Sequence, residues 1–471
     1  MDTPETTQGK GFGPVISANV WLPTDLDFNY RFVEERAIVR PSATQFGEDV
    51  PDEFSLLDFS DDGSHAFLPR HLFDDCEELL PPECERLDYT ELFDRYDFHH
   101  SICVRNNQLR AWEALDNVDH GVLVLSCGKG KTELGLLKAA TRGFATVVLV
   151  TNGALAIQWK NRAMLRLGLR EDEIGIIEGG LQLRATKKQP VSPWYRPLVI
   201  VVIHNIVKHP EKIPLDIRMR FGTVLIDEAH HLPAKVFSTA GNMFYGARFA
   251  LTASPRRDDG MEKILYAACG GIIFQDLESQ WPAAVHRHQT VLTVNIRNTA
   301  VRKQVTNVRG KWHLSKCYGY LAQHTQRNDE IAKLIAQLYR SKRRIVVFSH
   351  SQEHPVALRE ALKLHGVRDV GVITGDTPSD DRLTILDQHM VVAATVGVGA
   401  EGLDCPLVDT IVMATPFFSQ RLFDQCKGRC ERLINGERSG KEPPMMWLIE
   451  DPHVPFLATY NEALRKRVGV V

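Results

Sequence analysis

Two series of short, wholly apolar runs constrain this chain more than any other feature. The first, between residues 121 and 253, reads GVLVLS, TVVLVT, LVIVVIHN, TVLIDE and RFALTAS. The second, between 344 and 450, reads RIVVFS, DVGVIT, HMVVAATV, DTIVMA and MMWLIE. A strand with one wet face alternates apolar and polar residues, whereas a strand covered by helices on both faces has no such need. Segments long enough for crossover helices separate most of the runs, among them ELGLLKAAT, ALAIQWKNRAMLRL and HPVALREALKLH. The alternation predicts an α/β chain with two tandem doubly wound units, each built on a parallel sheet.

The first 95 residues have another texture. They are rich in Pro, Asp and Glu, and their apolar runs are as brief as ANVWLP and HAFLPRHLF. A small α+β module is expected there, with disorder near 41–63. The division that follows is an acidic module over 1–95, a first α/β unit over 96–285, a basic linker without helix periodicity over 286–325, and a second α/β unit over 326–471. Charge is divided along the same line. The net charge of −3 conceals 23 acidic against 7 basic residues in 1–100, and 49 basic against 36 acidic in 101–471. Lysines and arginines that neutralise phosphates release counterions, so a basic body suits a polyanion; solvated surface charge gives the same composition. The acidic head would either shield that body or bind a protein partner. No apolar run approaches the ~20 residues that span a bilayer, so no membrane partner is expected. The first residues lack the profile of a secretory signal. Nine scattered cysteines fit a reducing compartment, such as nucleus or cytoplasm, better than a disulfide framework.

The stretch VLVLSCGKGKTELGLL, residues 122–137, carries the first chemistry. Gly130, Lys131 and Thr132 fit the end of a phosphate loop, although Leu125 stands where that pattern begins with Gly. A strand precedes the loop and a helix follows, which aims backbone N–H groups and a helix N-terminus at an anion. Gly128 and Gly130 would permit the backbone of a phosphate nest. Lys131 would reach the β- and γ-phosphates of ATP, and Thr132 would hold Mg2+. The plain alternative is a strand–helix turn that contains Gly-Lys-Thr.

In TVLIDEAHH, residues 223–231, an apolar strand runs straight into Asp227 and Glu228. Adjacent carboxylates at the end of a buried strand are costly without a cation beside them. Asp227 would help hold Mg2+, Glu228 would orient and deprotonate an attacking water, and His230 would sense the γ-phosphate. In QCKGRCER, residues 425–432, Gln425 begins a motif in which Arg429 and Arg432 lie three apart, on one face if helical. Guanidiniums directed at a transferring phosphoryl group can contribute ~10³–10⁵ in rate. Cys426 and Cys430 flank that motif without a second ligand pair nearby, so they are read as packing residues, not zinc ligands.

Together these motifs resemble those of superfamily-two helicases and translocases of the DEAH-lettered kind. The details are most similar to XPB-type DNA helicases and the poxvirus transcript-release helicase, with type III restriction motors as cousins. The resemblance covers roughly 95–450 and implies that both α/β units are RecA-like. Within LSCGKGKT it implies nucleotide contacts for Ser126, Cys127, Gly128, Lys129, Gly130, Lys131 and Thr132. In VRNNQLRAWEAL it implies that Gln108 reads the adenine edge. LVTNGALAIQWKNR resembles the segment whose Gln-Trp pair opens a helix near the nucleic-acid backbone. LTASPRRDDG resembles the motif taken to link hydrolysis to strand movement, with Ser254 in place of its second Thr. VITGDTPSDDR resembles a backbone-touching segment of the second unit, and ATVGVGAEGLDCP a turn in which Gly402 and Asp404 face nucleotide and strand. The resemblance implies ATP hydrolysis in a cleft between the units and a nucleic-acid track, DNA before RNA, with a role in viral transcription or repair. The rival readings are a duplex-DNA translocase that separates no strands, and a non-enzymatic nucleic-acid clamp.

Overall fold

The computed structural model describes residues 15–16, 19–25, 30–39, 53–60, 62–74, 87–88, 93–126, 128–185, 190–228, 239–253, 262–279, 281–399, 407–416, 420–433 and 440–458. Two compact units result, Met1–Leu277 and Glu278–Val471.

The amino-terminal part of the first unit is a mixed sheet. Strands β1 (Val15–Ile16), β2 (Asn19–Pro23), β5 (Asp58–Phe59), β6 (His65–Pro69) and β7 (Leu87–Asp88) stand in the order β5-β6-β2-β1-β7, and β3 (Ile38–Val39) pairs separately with β4 (Phe54–Ser55). The strands β4 and β5 fall inside the stretch near 41–63 expected to be disordered. Backbone pairing with β3 and β6 overrides their polar composition there.

The module's core of Val20, Leu22, Leu68 and Phe73 packs with Ala267, which belongs to the helix Glu262–Cys269. Around that contact, Arg70 donates to the carbonyls of Tyr245 and Gly246, at 2.5 and 3.3 Å. Lys263 donates to the carbonyl of Ile38 at 3.0 Å. His71 packs against His120 with ring centroids 3.8 Å apart and the planes tilted by 36°.

Seven parallel strands make the first large sheet: β8 (Gly121–Leu125), β9 (Thr146–Val150), β10 (Ile174–Ile177), β11 (Leu198–Val202), β12 (Thr223–Asp227), β13 (Ala247–Thr252) and β14 (Ile272–Asp276). Their order is β10-β11-β9-β12-β13-β8-β14, and every pair is parallel. The strands β8, β9, β11 and β12 are buried at every residue, as their unbroken apolar composition requires. One core lies on each face, around Val124, Val201 and Phe244 on one side and around Leu123, Trp159 and Leu251 on the other. Because the strands are parallel, the ends of β8 and β12 share one edge, with the end of β13 between them. That edge is where open α/β sheets bind ligands.

The second unit holds six parallel strands: β15 (Ala284–Gln289), β16 (Ile345–Ser349), β17 (Val370–Ile373), β18 (Val391–Thr395), β19 (Thr410–Met413) and β20 (Met445–Glu450), in the order β15-β20-β19-β16-β18-β17. The stretch 286–325, expected as linker, carries most of β15 and two helices, Thr299–Val305 and Leu314–Ala322. β15 pairs along its whole length with β20, which draws a His- and Arg-bearing run into a sheet edge. A buried polar network anchors the helix Thr325–Arg340. Arg327 donates twice to Asp451, at 2.7 and 3.0 Å, and once to the carbonyl of Ala414 at 2.7 Å. Asn328 joins His354 at 2.9 Å, and His354 joins Ser349 at 2.9 Å.

Candidate nucleotide site

The phosphate loop leaves the buried end of β8. Gly128 and Gly130 both have φ of 82°, in the left-handed region where side chains are strained. At Gly130 a Cβ would also lie 2.2 Å from Nε2 of Gln108, so glycine is required there twice over. The helix Lys131–Arg142 starts at once. Gly135 in that helix lets it ride close over Trp159 and Leu251, since a Cβ at 135 would meet their side chains at 3.1 and 2.8 Å. The loop's N–H groups and helix N-terminus thus face the sheet edge as an anion cradle.

Three side chains brace this loop. Gln108, 5% exposed, accepts from the N–H of Arg105 at 3.0 Å and donates to the carbonyl of Lys129 at 2.9 Å. Both ends of its amide therefore hold the loop's shape, a duty that the expected reading of adenine does not include. Lys129 is 7% exposed and its ammonium pairs with Asp276 at the end of β14, so it faces the protein; its N–H donates to the carbonyl of Ser126 at 3.3 Å and closes the loop's turn. Asp276 also accepts from the N–H of Ser126 through its carbonyl at 3.0 Å. Lys131 is the cation at the cradle itself. Its ammonium donates to the carbonyl of Leu125 at 3.0 Å, a neutral partner that an anionic phosphate oxygen outcompetes.

Asp227 closes β12, 6% exposed, and Glu228 follows with a left-handed φ of 49°. A non-glycine residue held there stores strain of a kind that clusters at functional sites. The N–H of Glu228 donates to the carbonyl of Leu251 at 2.9 Å, which fixes the turn. Burial first, and then the neighbouring Glu228, push the Asp227 carboxyl up to about 7, against the pull of Trp159 and Lys131. The indole of Trp159 donates to Oδ2 of Asp227 at 2.7 Å. The residues fit a nucleoside triphosphate with Mg2+: a left-handed glycine cradle, a lysine on an exchangeable carbonyl, and a carboxylate pair whose repulsion a dication relieves.

In the second unit Gln425 is buried and Arg429 half-buried, both on the helix Gln420–Cys430. The helix stops at Cys430, so Arg432 lies two residues past it rather than on a shared helical face. Cys426 and Cys430 sit wholly inside the hydrophobic core. Cys127, His230, Ser254, Gly402 and Asp404 lie outside the described residues. Reading the sequence missed Asp276 and gave Trp159 another partner; GIIFQD has the same apolar-run-into-acid texture as TVLIDE and could have flagged the former.

A second set of metal-capable groups, His71, Asp74 and His120, comes together where the module meets the first large sheet, with one ligand atom of each within 4.8 Å of the others. His71 Nδ1 bonds Asp74 at 2.6 Å, the two imidazole rings pack at a tilt of 36°, and Arg70 and Arg248 add positive charge nearby, which opposes a cation. The cluster is a packed joint.

Residues 101–257 match the family described as type III restriction enzyme, res subunit, and residues 326–433 match the helicase conserved C-terminal domain. Over 175 residues the chain is 34% identical to a DNA 3'-5' helicase XPB of Kineococcus radiotolerans, covering 36% of this chain and 30% of that protein. The chain thus spans under a third of that relative's length. With a DNA 3'-5' translocase XPB2 of Sulfurisphaera tokodaii the identity is 23% over 376 residues, 70% of this chain and 79% of the relative. The solved structure of a variant of S. cerevisiae Dbp5 bound to RNA and ADP BeF3 overlays with a TM-score of 0.52 at 13% identity, over 77% of this chain and 87% of that one, a likeness of fold.

Proposed function

We propose that this chain, similar to XPB helicases and to type III restriction motors, is a superfamily-two enzyme that hydrolyses ATP to move along or unwind DNA. The observation that carries this is the edge shared by the phosphate loop and the Asp227–Glu228 turn, with Lys131 close enough to act on Asp227. Backbone N–H groups of Gly128, Gly130, Lys131 and Thr132 cradle the phosphates, and the Lys131 ammonium exchanges the Leu125 carbonyl for phosphate oxygens. Thr132 and Asp227 hold Mg2+, which supplies neutralisation of the charge that develops on the phosphates. Glu228 orients the attacking water and takes its proton. The resemblance assigns to the reaction the positive charges of Arg429 and Arg432 and the neutral amide of Gln425, and it assigns contacts with nucleotide and strand to Gly402 and Asp404.

Support for a polyanion track comes from residues 279–328, which contain no Asp or Glu. Arg297, Arg302, Lys303, Arg309, Lys311 and Lys316 are all exposed within it, beside a half-exposed Trp312. Such a surface tracks a backbone without reading sequence, so affinity falls steeply with salt. DNA is proposed over RNA because the XPB relatives carry DNA in their names. The test is steady-state ATP hydrolysis by the purified chain, alone and with single-stranded DNA, duplex DNA or RNA. Stimulation by DNA supports the proposal, and no hydrolysis under any condition sinks it.

The second reading, a translocase that leaves duplexes paired, is favoured by the XPB2 relative's name. A strand-displacement assay beside a triplex-displacement assay separates the two.

A further inference from the structure

The indole of Trp159 is fully buried at the middle of the helix Gly153–Leu167 and touches two parts of the nucleotide site at once. Its Nε1 donates to Oδ2 of Asp227 at 2.7 Å, and its far edge lies against Gly135 of the helix that follows the phosphate loop. A tryptophan N–H is a donor and never an acceptor, so it can only favour a carboxylate with one oxygen turned toward it. The same helix begins immediately after β9 at the Asn152 cap, whose side chain accepts from the N–H of Leu155 at 3.0 Å. Any shift of that helix is transmitted to one oxygen of Asp227, because the ring is too tightly enclosed to turn by itself.

We propose that Trp159 is a positioning residue for the divalent cation: by pinning Oδ2 of Asp227 it sets the direction in which that carboxylate meets the metal, and it ties the metal's carboxylate to the helix after β9. The proposal rests on the motor reading above. Partners that orient metal-binding carboxylates change metal affinity by about tenfold or more when removed. Trp194 provides the comparison. It is equally buried in the core on the opposite face of the same sheet, and its indole donates to the carbonyl of Leu181, away from the site.

The experiment uses the full chain as wild type, Trp159→Phe, Trp159→His and Trp194→Phe. Mn2+ binding is followed by electron paramagnetic resonance with a non-hydrolysable ATP analogue, and the Mg2+ midpoint of hydrolysis is measured beside it. Trp159→Phe binds Mn2+ about tenfold more weakly and its Mg2+ midpoint rises by the same factor, while Trp194→Phe matches wild type. Trp159→His keeps a ring N–H and falls between the two; it carries the comparison if Trp159→Phe does not fold. Equal Mn2+ affinity in wild type and both Trp159 variants overturns the proposal, as does a loss of similar size in Trp194→Phe. A wild-type chain that binds no Mn2+ with the analogue overturns the motor reading, and this proposal with it.

Discussion

The two large sheets share a construction but use their buried polar groups differently. In the first, Gln108, Lys129 with Asp276, and Trp159 with Asp227 all converge on the edge where the phosphate loop and the carboxylates end. In the second, the buried groups Arg327, Asp451, Asn328, His354 and Ser349 fasten a helix to its sheet. A fully enclosed ion pair is neutral or even unfavourable compared with an apolar core, yet ruinous when half of it is removed. A brace at a site mouth has the opposite character, because little is lost from the fold when it goes and much from the chemistry. The contrast teaches that burial of polar groups has two meanings in one molecule: both sets stand at the ends of parallel strands, and what distinguishes them is whether the partner is the phosphate loop and its carboxylates or a helix packed on the sheet.

The largest effect that tests this contrast is on stability. Arg327→Met strands Asp451 in the interior and lowers the stability of the second unit by about 3–5 kcal/mol. Calorimetry reads it as an earlier melting transition for that unit. Hydrolysis below that transition stays near the wild-type rate, and a collapse in rate there would break the contrast. Next, Lys131→Ala lowers hydrolysis by about 10²–10³-fold, the scale of losing one charge-stabilising donor, with melting unchanged. A chain that melts early instead would show the loop to be structural.

A third effect concerns the joint between module and motor. Burial holds the His71 imidazole down to about 4, so the folded state favours the neutral ring. Stability from this group is therefore complete above about 6.5 and is lost as pH falls toward 4, to a limit of about 3 kcal/mol. Melting of the first unit followed from pH 7.5 to 4.5 shows the fall, and His71→Phe flattens it. The smallest effect is Gln108→Ala, which removes the brace under Lys129 and weakens ATP binding by about 1–2 kcal/mol with kcat held. An equal loss of kcat would mean that Gln108 acts in the transition state as well.

Ten of the thirteen strands in the two large sheets were legible because unbroken Val/Ile/Leu runs have few other uses; β15, with its His and Arg, read as linker. Lys131 and Thr132 stood out as candidates in the glycine loop just past such a run, and Asp227 and Glu228 directly at the end of another. β10 and β14 escaped because EIGIIEG and GIIFQD are interrupted by Gly or Gln and lie close to turns. With β14 went Asp276, whose partner Lys129 is 147 positions away. The bond between Trp159 and Asp227 spans 68 positions and depends on how a helix packs across a sheet, which no local pattern encodes. Helix ends are similarly hidden: spacing put Arg429 and Arg432 on one face, but only the fold shows that the helix stops between them.

The acidic module grips the first unit at residues 120 and 245–246, where β8 and β13 begin, and nucleotide chemistry is proposed where β8 and β12 finish. In a parallel sheet these are opposite rims. The module is thus held on the rim opposite the proposed nucleotide site, so a group placed on that rim does not stand in front of the phosphate loop.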